Sequence, residues 1–274
     1  MACASLFCCG WRKMCNFAGM SDMISTPSIE WLPEGGSSNS ILSARAGALP
    51  HGAVIALEKQ TSGRGQRGNS WEAAPGENIT MSMLFRPESV RPAEQFMLSE
   101  MVSLGIVGFL RGLLGDVAAE DVSVKWPNDI YVGDRKICGI LIEHSLMGGR
   151  IAHTIAGVGV NINQLEFVSD APNPVSVAQI TGRRYSVEEC VALLAGQLLE
   201  IVNMYDNPEL WDELHRRYLA HLWRREGFHP YLEPATGRRI MARIDTVMPT
   251  GHLRLTDSSG GSKLYAFKEV SAIV

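Results

Sequence analysis

The sequence predicts an α+β fold: a mixed, largely antiparallel sheet with helices on one face, followed by a small β-barrel. Three observations predict it. Short apolar strands separated by turn-forming residues fill much of residues 29–161. Two stretches, 92–113 and 187–222, repeat their apolar residues at helical spacing. From Arg238 the period drops to two, with Ile240, Ala242 and Ile244 alternating with Met241 and Arg243.

In chain order, Ile29–Leu32 reads as a short strand and Pro33–Ser40 as a Gly/Ser-rich turn. Ser40–Leu49 reads as a helix that Pro50–Gly52 ends. Val54–Leu57 is a buried strand, Gly63–Gly68 a polar glycine-rich loop, and Ile79–Phe85 a second strand. Pro92 suits the first turn of a helix whose apolar residues run from Phe96 to Leu113. Val122–Trp126 and Ile130–Val132 flank a Pro127–Asn128–Asp129 turn. Ile137–Ser145 and Ile151–Asn161 are joined through Gly148–Gly149 as a hairpin. Leu193, Leu194, Leu198, Ile201 and Val202 share one face of a later helix. Turns at Pro249–Gly251 and Asp257–Ser262 divide about 45 residues of short C-terminal strands, as in a small barrel.

Composition narrows the function. With 46% hydrophobic and 20% charged residues, the 274-residue chain has an ordinary globular core. A net charge of −4 offers no general attraction to nucleic acid or to an anionic membrane, so neither is expected as a partner. The longest uncharged apolar run, Met101–Leu110, falls short of the roughly 20 residues of a bilayer span. Cys3, Cys8, Cys9 and Cys15 crowd the N-terminus while Cys138 and Cys190 sit alone in apolar segments; no paired C-x-x-C spacing supports a zinc site. No basic region precedes the short apolar stretch before Arg12, so no signal peptide is expected and the chain reads as cytoplasmic. Residues 1–27 read as a disordered extension.

Three segments carry chemistry. Gly63-Arg64-Gly65-Gln66-Arg67-Gly68 matches the dinucleotide fingerprint in letters only, because Pro75-Gly76 follows where that fingerprint requires a helix. Its glycines permit close backbone approach, and its two arginines offer planar donors for phosphate or carboxylate. A loop that orders over a phosphorylated ligand and a plain surface turn both fit. In Lys125-Trp126-Pro127-Asn128-Asp129, a lysine within an apolar strand needs a partner, and Asp129 is placed either to pair with it or to hold magnesium. Lys136 ends a hairpin in which Gly139 allows close approach. In Gly157-Val158-Gly159-Val160-Asn161, small residues let a flat group lie against a strand, and Asn161 suits an amide or purine edge.

Taken together, Gly36-Ser37-Ser38-Asn39, the run from Glu58 to Trp71, Lys125-Trp126-Pro127-Asn128-Asp129, Lys136 with Gly139-Ile140-Leu141, and Gly157–Asn161 resemble the biotin protein ligase family over residues 29–274. The resemblance implies a class II synthetase-like catalytic domain over 28–225 and an SH3-like barrel over 226–274, closing with Phe267-Lys268-Glu269-Val270. It implies that biotin and ATP form biotinyl-5′-adenylate, whose acyl group passes to a lysine of the biotin carboxyl carrier domain of a carboxylase, with Mg²⁺ assisting. It assigns Lys125, Asp129, Lys136 and Arg64 to catalysis, and Asp129 to the metal. Ser37, Ser38, Asn39, Gln60, Gly63, Arg64, Gly65, Lys136 and Gly139 fall to biotin, and Arg64, Arg67, Trp71, Lys125, Asn128 and Asn161 to ATP. The biotin tail and ring need an apolar slot, which Trp71 or Trp126 is placed to wall, unless both are plain core residues. A homodimer built by extending the central sheet is also known in that family.

The sequence departs from the family pattern at three points. Gln66 replaces a loop base, Ser38 stands where threonine also occurs, and too few residues precede Ile29 for a winged helix, so repressor activity is not expected. A lipoate or octanoate ligase of the same fold and a non-catalytic biotin-binding module are the alternatives.

Overall fold

The computed structural model describes residues 27–66, 70–168 and 173–273. The expectations for the N-terminal cysteines and for Arg67 therefore lie outside the described residues, as does all of the predicted N-terminal extension except Pro27. The main sheet has seven strands: β1 (Ile29–Gly35), β2 (Val54–Gln60), β3 (Ile79–Phe85), β4 (Val122–Lys125), β5 (Asp129–Val132), β6 (Arg135–Met147) and β7 (Arg150–Val160). Their spatial order is β1-β2-β3-β7-β6-β5-β4. The β1–β2 pair is parallel and every other pair antiparallel, which is the mixed, largely antiparallel sheet expected.

Side chains alternate between the faces of a strand, and here the alternation separates two cores. On one face Val54, Ala56, Met81, Met83, Ala156 and Val158 join the large core beneath two 19-residue helices, α2 (Phe96–Leu114) and α4 (Val187–Tyr205). Those helices meet closely at Gly105, where a Cβ would lie 2.8 Å from Leu198 Cδ2. By length and composition α2 qualifies as a membrane span, yet 78% of its apolar stretch is buried inside the fold. Leu98, Met101, Val102, Ile106 and Leu110 are fully buried, and such burial stabilises by about 1.5–3 kcal/mol per side chain.

The opposite face corrects one expectation. Ile55, Leu57, Leu84 and Ile155 form a second, smaller core with Leu42 and Ala46 of a short helix, α1 (Ser38–Arg45), and its following turn. Helices therefore cover both faces, although the second is covered only in part. The rest of that face is free to line a site. The strand β1 also runs on through the predicted turn to Gly35, and α1 starts two residues earlier than its apolar spacing suggests.

The chain continues through α3 (Val177–Thr181) and α5 (Trp211–Ala220) into five short strands: β8 (His229–Glu233), β9 (Arg238–Val247), β10 (Leu253–Asp257), β11 (Ser262–Tyr265) and β12 (Ser271–Ala272). They form one antiparallel sheet in the order β11-β10-β9-β8-β12. Its inner side chains, including Tyr231, Ile240, Leu253 and Tyr265, join the large core, so this small sheet packs directly on the main body.

A part-buried His–Glu pair lies where helices α2 and α5 meet the small sheet. His215 Nδ1 of α5 is 2.9 Å from Glu100 Oε1 of α2, and His215 Nε2 is 3.3 Å from Thr246 Oγ1 of β9. The hydrogen bond to Glu100 raises the His215 pKa above its ordinary 6.5, while burial raises that of Glu100. Both shifts favour the protonated folded form. The His215 contribution is complete below pH 6.5 and disappears as pH rises through its raised value. The expected result is that melting temperature falls as pH rises above 6.5 through the raised His215 value, and that His215→Asn combined with Glu100→Gln flattens this slope. A double variant with the parent's slope would assign it to other groups.

Candidate active site

Strand parity builds the site. Thr80 and Ser82 of β3, Gly157 and Gly159 of β7, Gly139, Leu141 and Glu143 of β6, Asp129 and Tyr131 of β5 and Lys125 of β4 all alternate with residues of the large core. They project onto the partly covered face, beside α1, and all but Ser82, Glu143 and Tyr131 border a cavity of about 290 Å³. The described residues assigned to the site all line this cavity except Gly63 and Asn161.

At its inner end α1 opens with a polar notch. Gln60 Oε1 accepts hydrogen bonds from the Ser38 backbone N (3.0 Å) and Ser38 Oγ (3.4 Å). Ser82 Oγ is 2.7 Å from Ser38 Oγ and donates to Asn39 Oδ1 at 2.5 Å. Asn39 Nδ2 donates to Leu141 O (3.2 Å) and Glu143 Oε2 (2.8 Å). Ser37, Ser38 and Asn39 are buried, so this is a desolvated set of donors and acceptors at a helix start. Such groups stabilise only a ligand that pairs with them.

Glycine forms the floor. Gly139 and Gly159 are directly paired across β6 and β7. The Trp71 indole lies on this pair: a Cβ at Gly159 would come 2.3 Å from Trp71 Cε2, and one at Gly139 would come 2.9 Å from Cζ3. Trp71 Nε1 is buried and unpartnered. The other candidate wall, Trp126, instead fastens the small sheet: its Nε1 donates to Gly251 O (3.0 Å), and its ring meets Phe267 edge-on at 6.3 Å.

The arginine loop closes one side. Arg64 bridges to Ser70, and Trp71 N donates to Gly63 O at 3.1 Å, pinching the loop. A Cβ on Gly63 would lie 2.4 Å from Trp71 O, so the crossing requires glycine there. Arg64 Nη2 reaches across the cavity to Glu143 Oε2 at 2.9 Å. Glu143 thus ties the loop and Asn39 together.

The opposite end is cationic. Lys136 Nζ pairs with Asp129 Oδ1 at 2.7 Å and lies 5.8 Å from the Trp71 ring centre. Sequence suggested Lys125 as the partner of Asp129; the structure assigns the ion pair to Lys136. Lys125 Nζ donates to Tyr131 OH at 2.9 Å. Burial pushes the Lys125 pKa down; Asp129 opposes this, while Lys136 and Arg224 add to it. The folded protein thus holds a partly desolvated ammonium beside other cations, a costly arrangement that an incoming anion relieves.

Two assigned residues do other work. Asn128 Nδ2 donates to Ile140 O at 2.7 Å, holding the turn against β6. Asn161 Nδ2 donates to Val175 O at 3.1 Å beyond the cavity, leaving its buried Oδ1 unpartnered. Among the described residues no group of three or more His, Cys, Asp or Glu forms a metal centre. Sequence reasoning missed Ser82 and Glu143, which have no local motif. The period-two register running from Gly139 through Leu141 to Glu143 was the signal available for the latter.

Comparison with known proteins agrees with this geometry. Residues 37–161 match the Biotin/lipoate A/B protein ligase family. The chain is 38% identical over 135 residues to the bifunctional ligase/repressor BirA of Escherichia coli, covering 49% of this chain and 40% of that protein. It is 33% identical over 154 residues to the biotin–[acetyl-CoA-carboxylase] ligase of Paracoccus denitrificans, covering 55% and 62%. Each match thus spans less than two thirds of the relative. The fold matches a biotin protein ligase from Aquifex aeolicus in complex with biotin and ATP, with a TM-score of 0.70 at 21% identity over 89% of this chain and 97% of the other. A Leishmania major biotin protein ligase in complex with biotinyl-5-AMP matches at a TM-score of 0.62, 22% identity, over 88% and 100%. The stretch 37–161, which matches this family's model, also supplies the polar notch, the glycine floor and both lysines.

Proposed function

We propose that this chain is a cytoplasmic, ATP-dependent biotin protein ligase that activates biotin as its 5′-adenylate and transfers it to a lysine of a biotin carboxyl carrier domain. The observation that carries the proposal is the buried notch of Ser38, Asn39, Gln60 and Ser82 at the closed end of a glycine-floored slot. A cyclic urea carries N–H and C=O groups for such a notch. A dithiolane or plain alkyl chain carries neither and would leave these groups unpaired, a discrimination that reaches about 10⁴-fold in sites of this kind.

With the ureido ring in the notch, the acid's chain runs toward Lys136 and Lys125. Both first-step reactants are anionic, and the two ammonium groups offset their repulsion as carboxylate oxygen attacks the α-phosphorus. The α–β bridging bond breaks and pyrophosphate leaves with its electron pair. Trp71 flanks the nucleotide base. In the second step the carrier lysine's amine attacks the acyl carbon, the bond from that carbon to the phosphate oxygen breaks so that AMP leaves with its electron pair, and Asp129 accepts the amine's proton. Asp129 is a lone carboxylate already paired with Lys136, a donor set suited to a magnesium ion that arrives on the nucleotide phosphates rather than to a resident one. That ion would supply charge neutralisation at those phosphates. Residues 28–225 serve as the catalytic domain, with 226–274 as an SH3-like barrel set over the outer end of the cavity.

The test is purified protein with ATP, an apo carrier domain and either biotin or lipoate. A carrier mass gain of one biotinyl group, with none from lipoate, is expected; labelling by lipoate alone overturns the proposal. Arg64→Gly is expected to release free adenylate into the filtrate at about 10-fold or more above the parent, because the Glu143 tie across the slot is lost. Adenylate retained as in the parent would mean that the loop is no lid.

A further inference from the structure

The outer end of the cavity carries an unusual backbone feature. Among the described residues, three non-glycine residues have positive φ: Asn173 (48°), Arg224 (55°) and Lys268 (72°). Asparagine tolerates this region; lysine and arginine gain nothing from it, and glycine takes it freely. Two cations are thus held in left-handed backbone: Lys268 lines the cavity, and Arg224 stacks on Trp223, which lines it too.

Their placement is fixed from several sides. Trp223 lines the cavity, with the Arg224 guanidinium 4.0 Å and Lys125 Nζ 5.8 Å from its ring centre. Arg224 Nη1 donates to Ile273 O at 2.7 Å, and Trp223 Nε1 to Asp134 Oδ1 at 3.0 Å. Lys268 lines the cavity from the small sheet. Its turn is closed by Glu269 N to Ala266 O (3.0 Å) and Ala266 N to Glu269 Oε2 (2.8 Å). The preceding Phe267 packs on Trp126, next to Lys125. Like charges gathered at a rigid rim repel one another until a polyanion arrives.

We propose that Arg224 and Lys268 receive the β- and γ-phosphates of ATP and hold the pyrophosphate that leaves when the acid's carboxylate displaces it from the α-phosphorus. The inference rests on the adenylating function proposed above. It adds a role for two residues outside the stretch that matches the family. The left-handed backbone is retained at a cost in stability that glycine would remove.

The test uses the full chain and two readouts. In biotin-dependent ATP–pyrophosphate exchange, Lys268→Gly and Arg224→Asn each raise the KM for pyrophosphate by about tenfold and leave that for biotin unchanged. Lys268→Gly also melts about 2–4 °C higher, since it relieves the backbone. Without any acid, inorganic pyrophosphate raises the melting temperature of the parent and fails to raise that of Lys268→Gly. A parent that exchanges only with another acid, or with none, overturns the biotin reading while the pyrophosphate melting shift still decides this one. Lys268→Gly with the parent's pyrophosphate KM and melting shift overturns the rim assignment.

Discussion

Lys136→Ala lowers biotin-dependent pyrophosphate release by about 10²–10³-fold, or about 2.7–4 kcal/mol of transition-state stabilisation. Lys136 Nζ is 2.7 Å from Asp129 Oδ1, and both side chains are four-fifths buried. Truncation therefore does two things at once. It removes a cation from the meeting point of two anions, and it bares the Asp129 carboxylate toward them. The fold should survive, because the apolar residues alternating with Lys136 and Asp129 in β5 and β6 keep their packing. A melting curve near the parent's with lost release gives Lys136 a chemical role. Near-normal release removes it from the mechanism.

Gly157→Ala lowers kcat/KM for biotin by about 100-fold, roughly 2.7 kcal/mol. The new Cβ would lie 2.1 Å from Asn39 Oδ1 and 2.9 Å from Asn39 Cγ. Asn39 cannot swing aside cheaply. Its amide is held by Ser82, Leu141 O and Glu143, and moving it leaves buried polar groups unpaired. Gly159→Ala provides the contrast, since its Cβ meets the Trp71 ring, whose Nε1 has no partner to lose. The first variant should act on the KM for biotin and the second on that for ATP. Loss of ATP affinity in Gly157→Ala, with biotin untouched, would reverse the orientation assigned to the slot.

Some of this was legible in the chain. Ile79–Phe85 is a run of seven buried residues, and it reads as a strand because it packs on both faces. The Arg238 boundary was legible because a period of two needs only one buried face. The helix α1 was harder. Its first turn, Ser38-Asn39-Ser40, is polar where ordinary helices are judged by apolar spacing, and it is polar because it forms the notch. Strand β8 was missed because Pro230 interrupts its pattern. The site lysines and glycines lie in compact motifs. Glu143 does not, and it meets Asn39 across 104 positions of sequence, a contact that only the folded sheet creates.

ATP–pyrophosphate exchange on the purified chain, with biotin, lipoate and octanoate supplied separately, tests the central claim most directly. Exchange that depends on biotin alone is the predicted result, because on the proposed function a cyclic urea, unlike a dithiolane or an alkyl chain, would pair with the notch of Ser38, Asn39, Gln60 and Ser82. Exchange driven by lipoate or octanoate, with none from biotin, would contradict it.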